Sequence, residues 1–222
     1  MDQGGRGRPA YPAAGLRMQT LKVSKTFRVS HVRKMDDLLV EFTSGDDERA
    51  ERAARRLAGQ GEAVLDELRP LLAAPEADTR WWAVRTLAEV PSPEAVSLLI
   101  QALEDEDAAV QQCAALSLSR QPDERAVPAL IKAMSSKDAL LARLAANALA
   151  SSGAAAVPAL LEVLEMGRQP VRLEAARALA RIGDNRSIPA LMKALEEDSA
   201  LMDYWANEGL ERMGVGMVFF KP

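Results

Sequence analysis

Apolar residues recur along the chain in two alternating patterns, each typical of an amphipathic helix. In the first pattern an alanine is followed four residues later by a leucine, and these alanines are Ala53 (a weaker copy), Ala83, Ala114, Ala145, Ala175 and Ala206. In the second pattern a Val or Ile precedes Pro-Ala-Leu, at positions 127–130, 157–160 and 188–191. Spacings of three and four residues place apolar side chains on one face of a helix. We refer to helices of the first pattern as A helices and to those of the second as B helices.

The two patterns alternate with a period of 30 or 31 residues, measured between successive Pro-Ala-Leu motifs. Weaker copies of the B pattern lie at 63–68 and 95–100. A two-helix unit of this length can bury its apolar stripes only by stacking on neighbouring units. The sequence therefore predicts an all-α fold, an α-α superhelix in which about five to six helical hairpins form a right-handed solenoid over residues 35–214.

The repeated segments resemble those of a known family. Residues 123–134 have the sequence DERAVPALIKAM, and residues 171–195 combine one A helix and one B helix in the same register. These segments are similar to the short bacterial HEAT repeats first named for phycobilisome lyases, and the similarity extends over about residues 47–213. The resemblance implies a stack of helical hairpins. The motifs are specific for architecture and say little about function, but the resemblance also implies one possible enzyme, a phycobilin lyase that attaches or removes a tetrapyrrole on phycobiliprotein cysteines.

Charge is distributed unevenly between the N-terminal segment and the rest of the chain. Residues 1–34 contain eight Lys or Arg and one Asp, a net charge of +7, which leaves −11 on the remaining residues because the whole chain carries −4. This segment is rich in Gly and Pro and lacks a helical period, so we expect a flexible tail. Three interpretations remain open: a tail without a dedicated role, a tail that contacts nucleic acid or the acidic body of another copy, and an organelle-targeting peptide.

Both ends of the repeat array need to be covered. Residues 36–42 form a short amphipathic stretch that we expect to cover the first repeat. The C-terminal tail, residues 215–222, is apolar and contains two adjacent phenylalanines, which are an aggregation hazard when exposed. We expect this tail to fold back over the open edge of the last repeat, and docking on a partner is the alternative.

The chain offers few residues for catalysis. His31 is the only histidine and Cys113 the only cysteine, so no Ser-His-Asp, Cys-His or His-based metal site can form within one chain. Deoxyhypusine hydroxylases share the repeat but hold di-iron through several His-Glu pairs, which His31 followed by Val32 cannot supply. Acidic runs such as 104–107 fall at helix ends and in turns, where carboxylates are solvated, and no glycine-rich phosphate loop is present. We therefore predict no catalytic residues, no cofactor and no metal.

Aromatic pairs are the one feature that could serve a tetrapyrrole enzyme. Trp81-Trp82 and Tyr204-Trp205 occupy corresponding positions of two A helices and could stack on a flat ligand. Trp82 and Trp205 stand next to core alanines, however, so packing against the adjoining repeat is the simpler interpretation. The phycobilin lyase therefore remains the alternative function.

The favoured interpretation is a cytoplasmic, non-catalytic scaffold that binds another protein. The inner surface of such an arc is commonly lined by B helices, and aromatic and arginine residues are enriched at interface hot spots. The candidate interaction surface comprises Arg80, Trp81, Arg85, Gln101, Lys132, Glu162, Lys193 and Tyr204.

The acidic body argues against nucleic acid as a partner, except through the basic tail. No apolar run reaches the roughly 20 residues of a membrane span, and no signal-peptide core is present.

Overall fold

The computed structural model describes residues 37–215 apart from residues 39 and 43, and this part of the chain is helical without a strand. Residues 37–38 and 40–42 are helical. The longer helices that follow are α1 Asp47–Ala58, α2 Leu65–Leu72, α3 Ala77–Leu87, α4 Pro93–Ala102, α5 Ala108–Arg120, α6 Val127–Met134, α7 Ala139–Ser151, α8 Val157–Met166, α9 Gln169–Ile182, α10 Ile188–Ala194 and α11 Ala200–Arg212. Short 3-10 helices lie at Gly61–Val64, Glu124–Ala126, Gly153–Ala155 and Asn185–Ser187. Odd-numbered helices are A helices and even-numbered helices are B helices, which confirms the predicted all-α repeat fold.

Short polar side chains and prolines start the helices. Ser92 caps α4 because its hydroxyl accepts a hydrogen bond of 3.1 Å from the amide of Ala95, and the carboxylate of Asp138 caps α7 in the same way. Helices α4, α6, α8 and α10 each carry a proline in the first turn, where no amide donor is needed. Gly183 ends α9 with a φ of 67°, in the left-handed region that favours glycine.

Small residues hold neighbouring A helices close together. The core alanine of every A helix is fully buried, and the leucine four residues later is buried beside it. Between α9 and α11 the approach is so close that a Cβ atom built on Gly209 would lie 3.0 Å from the Cα atom of Ala180. Alanine and glycine thus allow direct contact between the helix backbones.

The A helices form the more tightly packed of the two helical layers. Each A helix packs along the next A helix, and each B helix packs against the A helix that follows it, whereas successive B helices make few contacts. In a curved stack the layer with the closer spacing lies on the inside, so the A helices line the inner surface. This corrects the expectation that B helices line it. The physical reason is the core alanine, which permits a closer approach than the leucines of the B pattern.

The ends of the array are described in part. Leu38 and Phe42 are buried in the same core as the first repeat, so the segment that precedes α1 covers that end. At the other end, the amide of Val215 donates a hydrogen bond of 2.8 Å to the carbonyl of Leu210. Residues 1–36 and 216–222 lie outside the described residues, so the predictions for the basic N-terminal tail and the apolar C-terminal tail stay predictions.

Candidate functional site

The four predicted residues on B helices lie on the outer layer. Gln101, Lys132, Glu162 and Lys193 are all exposed and occupy equivalent positions in successive repeats. Lys132 forms an ion pair of 2.6 Å with Glu104, which is also exposed. These residues form a regular outer stripe, but the few contacts between B helices keep them apart.

Arg80 is not part of an exposed surface, which corrects its assignment to the candidate interaction surface. Its side chain is 7% exposed, and its Nε and Nη2 atoms donate hydrogen bonds of 2.8 and 2.9 Å to the carboxylate of Asp105. Its Nη1 atom donates to the carbonyls of Ala74 and Pro75 at 2.9 and 3.0 Å. Arg80 therefore joins the turn before α3 to the turn after α4.

The Arg80 ion pair shifts the pKa values of both partners. The hydrogen bonds to Asp105 raise the pKa of Arg80 above its ordinary value against the opposing effect of burial. Burial raises the pKa of Asp105. The hydrogen bonds from Arg80 and from the amide of Asp107 lower this pKa by more than burial raises it, so the net shift is downward. Arg172 and Glu197 repeat this arrangement at the same sequence separation of 25 residues.

The remaining predicted residues, Trp81, Arg85 and Tyr204, project from A helices. The Trp81 and Trp82 rings meet edge to face with centroids 4.8 Å apart, and both rings pack against the core. Tyr204 makes the same contact with Trp205 at 4.9 Å and is 58% exposed. The prediction that Trp82 and Trp205 fill space beside the core is thus confirmed, and Tyr204 is the exposed ring of its pair.

The structure brings together a surface that the sequence analysis did not identify. We define the inner ridge as the residues two before, two after and six after the core alanine of each A helix, on the side of the helix opposite that alanine. Its members are Glu51, Arg55, Gly59, Trp81, Arg85, Glu89, Gln112, Leu116, Arg120, Arg143, Asn147, Ser151, Leu173, Arg177, Arg181, Tyr204, Glu208 and Arg212. Each of them is exposed or half-buried. The ridge contains seven arginines and three glutamates, whereas the body of the chain as a whole is acidic.

Ion pairs neutralise the arginines at the N-terminal end of the inner ridge. The guanidinium of Arg85 lies 2.9 Å from the carboxylate of Glu89 and 3.5 Å from that of Glu51. Arg120 pairs with the same Glu89 at 3.0 Å, and Arg55 pairs with Glu51 at 2.8 Å. These pairs link α1, α3 and α5 into one network. At the surface, each pair contributes little to stability.

The ridge arginines of α7 and α9 lack such a network among the described residues. We call Arg143, Arg177 and Arg181 the arginine cluster. Arg177 donates hydrogen bonds to the carbonyl of Arg143 at 3.1 Å and to Asn147 at 3.4 Å, and Arg181 also donates to Asn147. Glu174, 2.8 Å from Arg177, is the one carboxylate paired with the cluster in the described part of the chain.

The described residues contain no clear catalytic group. Burial raises the pKa of the Cys113 thiol to about 11, so this cysteine is an inert core residue at neutral pH. Among residues 37–215, no three His, Cys, Asp or Glu side chains are grouped so that they could hold a metal ion. A groove of about 450 Å³ lies between α8 and α10 and includes Lys193, but the paired Arg172 and Glu197 occupy its wall.

The helices of the described region are too short or too polar to cross a membrane. Among curated protein sequences, none matches this chain. Solved structures do resemble it. The complex of CpcE and CpcF of phycocyanin lyase from Nostoc sp. PCC7120 is 25% identical with a TM-score of 0.50, and the match covers 81% of this chain and 77% of that chain.

Two further similar structures are artificial repeat proteins. An engineered protein is 26% identical with a TM-score of 0.47, over 82% of this chain and 98% of that chain. A designed armadillo repeat protein, solved in complex with the peptide (KR)4, is 19% identical with a TM-score of 0.49, over 80% of this chain and 98% of that chain.

The sequence model for HEAT repeats matches residues 65–150 and 127–211, which together span more than half of the chain. The chain therefore belongs to the HEAT-repeat family.

Proposed function

We propose that this chain is a non-catalytic scaffold that binds a protein partner along the inner ridge. The observation that supports this proposal most is one exposed stripe that crosses six stacked A helices and carries arginine and aromatic side chains. These residue types are enriched at interface hot spots, and repeat proteins use extended inner surfaces for binding. Because the alanine and leucine core alone maintains the stack, the ridge residues are available for recognition.

A phycobilin lyase, or a subunit of one, is the second candidate. The similarity to the CpcE and CpcF complex favours it, together with the exposed ring of Tyr204. The other rings of the two aromatic pairs, including Trp82 and Trp205, pack against the core and leave no second exposed platform beside Tyr204 in the described region. The proposed scaffold explains the whole ridge, whereas the lyase explains one residue of it.

Site-specific photocrosslinking tests the scaffold proposal. A photoreactive phenylalanine analogue replaces Leu116, which is 52% exposed at the centre of the inner ridge, in the full chain expressed in its own host. The matched control places the same analogue at Glu162 on the outer layer. We expect one stoichiometric protein adduct from position 116 and none from position 162. Adducts from position 162 alone would move the interface to the B helices, and the absence of adducts at both positions would contradict the proposal.

A separate assay tests the lyase candidate. The purified chain, alone and together with any captured partner, is incubated with phycocyanobilin and an apo-phycobiliprotein subunit. Covalent attachment is followed by absorbance and by zinc-enhanced fluorescence of the denatured protein. A bilin adduct that depends on this chain would establish lyase activity and overturn the non-catalytic proposal.

A further inference from the structure

The net charge of the inner ridge is opposite in sign to that of the whole repeat region. Seven arginines and three glutamates give the ridge a net charge of +4, whereas residues 35–222 together carry −11. The packing of the core does not require a positively charged surface on this acidic protein, because the ridge side chains point away from the core alanines. The charge of the ridge is therefore a property that a partner can recognise.

Within the ridge, the unneutralised charge is concentrated in the arginine cluster. Arg85 and Arg120 share the carboxylate of Glu89, so the N-terminal end of the ridge is internally paired. Arg143 is exposed, and its guanidinium makes no hydrogen bond or ion pair with the residues that the structure describes, although its backbone carbonyl accepts a hydrogen bond from Arg177. Arg181 contacts the amide oxygen of Asn147, a neutral acceptor. The cluster thus holds three guanidinium groups against the single carboxylate of Glu174.

Arg177 carries a hydrogen-bond donor that no described residue of the cluster satisfies. Its side chain is 14% exposed, and its buried Nε atom has no hydrogen-bond acceptor among the described residues. Partial burial lowers the pKa of Arg177, and the charges of Arg181 and Arg143 lower it further against the opposing effect of Glu174. A second carboxylate at this place would relieve the repulsion between the three guanidinium groups.

We propose that the arginine cluster binds carboxylate side chains of an acidic, extended segment in the protein partner. This inference rests on the proposed scaffold function. Guanidinium groups bind carboxylates through paired, charge-assisted hydrogen bonds. The exposed guanidinium groups of Arg143 and Arg181 have N–H donors available for such bonds. The half-buried Leu173 on α9 and the exposed Tyr204 on α11 lie in the same ridge, so apolar or aromatic residues between the acidic ones fit beside the cluster.

Charge favours a short acidic segment over a nucleic acid. A nucleic acid needs a continuous stripe of cations that neutralises many phosphates, and its extended backbone would also meet the acidic body of the molecule. Three guanidinium groups on two adjacent helices match two or three carboxylates. At physiological salt the Debye length is about 8 Å, so an acidic segment attached at the cluster is largely screened from the acidic outer layer.

Fluorescence anisotropy with defined peptides tests this inference. The probes are fluorescein-labelled decapeptides in which Asp or Glu alternates with Leu, Phe or Tyr, and the reference probes carry Asn or Gln at the acidic positions. The protein is the full chain, either unmodified or with both Arg143→Gln and Arg181→Gln, two exposed positions whose replacement leaves the core intact. The matched control carries Lys132→Gln and Lys193→Gln, which remove the same charge from two exposed positions on the outer layer.

We expect the acidic peptides to bind more tightly than their amide counterparts, and to bind more weakly as salt is raised. The double variant should lose affinity by roughly tenfold or more, as expected for the loss of charge-assisted hydrogen bonds, while the outer-layer control changes it by less than about threefold. Equal binding of amide peptides, or an unchanged affinity in the double variant, would overturn the inference. Tighter binding of a 20-nucleotide single-stranded DNA that depends on the same two arginines would overturn it in favour of a nucleic acid.

The photocrosslinking experiment separates failure of this inference from failure of the proposed function. A partner that crosslinks at position 116 equally well to the double variant would leave the scaffold intact and refute the acidic-segment site. Circular dichroism and thermal melting of the double variant must match those of the unmodified chain. A lower melting temperature would identify Arg143 and Arg181 as structural residues and would also refute the site.

Discussion

Replacement of Arg80 by methionine tests whether this arginine is a structural residue. Methionine preserves most of the apolar stem but removes every donor of the guanidinium. In the variant, the carboxylate of Asp105, which is 11% exposed, would keep the amide of Asp107 as a donor at 2.8 Å. The carbonyls of Ala74 and Pro75 would lose the side-chain donor that they share.

The expected loss follows from this geometry. Removal of one partner from a buried ion pair costs about 3–5 kcal/mol. Because the Asp107 amide still compensates part of the Asp105 charge, we expect a loss of about 3 kcal/mol in the free energy of unfolding. Asp105→Asn keeps one acceptor and should cost less, about 1–2 kcal/mol. A double-mutant cycle of the two positions should give a coupling energy of at least ~1 kcal/mol, since the side chains are in direct contact.

The pH dependence gives a second signature. The folded-state pKa of Asp105 is lowered, so the ion pair stabilises the protein fully above the ordinary carboxyl pKa, near 3.8. Its contribution is lost as the pH falls through the folded-state value. The difference in unfolding free energy between the unmodified chain and Arg80→Met should therefore narrow in acid.

Urea unfolding followed by circular dichroism at 222 nm measures these free energies, with an unchanged m-value as the check that the folded state is preserved. Lys132→Gln, which removes an exposed ion pair, is the control and should leave the midpoint almost unchanged. The reasoning is refuted if Arg80→Met alters the unfolding free energy by less than about 0.5 kcal/mol, the range of ordinary surface substitutions. If crosslinking at position 116 were lost at the same time, Arg80 would be an interface residue.

Three further predictions concern single positions. Leu149→Ala, at a fully buried site in the middle of the stack, should lower the free energy of unfolding by about 3–5 kcal/mol in urea titrations, and a loss under ~1 kcal/mol would contradict the repeat core. Gly183→Ala should cost about 1 kcal/mol because alanine is strained at a φ of 67°, whereas Gly59→Ala, at a φ of −61°, should not destabilise the protein. Cys113 should react with a thiol reagent at pH 8 far more slowly in the folded protein than in urea, because burial raises its pKa to about 11; equal rates would show that the thiol is accessible.

The repeat fold could be predicted in detail because it depends on local patterns. The spacing of alanine and leucine predicts the A helices, and the Pro-Ala-Leu motif predicts the start of each B helix from α6 to α10. Apolar periodicity and first-turn prolines act within one or two helical turns, so they are visible in the chain itself. The burial of the core alanines confirms the A pattern, and the full burial of Leu130, Leu160 and Leu191 confirms the B pattern.

The candidate site was predicted less well because exposure and curvature depend on the neighbouring repeat. A helical wheel cannot show that Arg80 meets Asp105, 25 residues later, although the second such pair, Arg172 and Glu197, provides a sequence signal at the same separation. The prediction that Gln101 and Lys193 are exposed was correct, but both residues lie on the outer layer. Which layer lies inside was not evident from either pattern taken alone.

The amino-acid sequence by itself determined that this chain is a stack of helical hairpins, because each helix must bury its apolar stripe and a unit of about 31 residues cannot do so alone. Only the tertiary structure decided which face is available to a partner. The buried alanines draw the A helices together, which turns that layer inward and aligns one exposed stripe across six repeats. Contacts between repeats that no single helix specifies pair Arg85 and Arg120 with Glu89 and leave the Arg143 guanidinium without a carboxylate among residues with a described position.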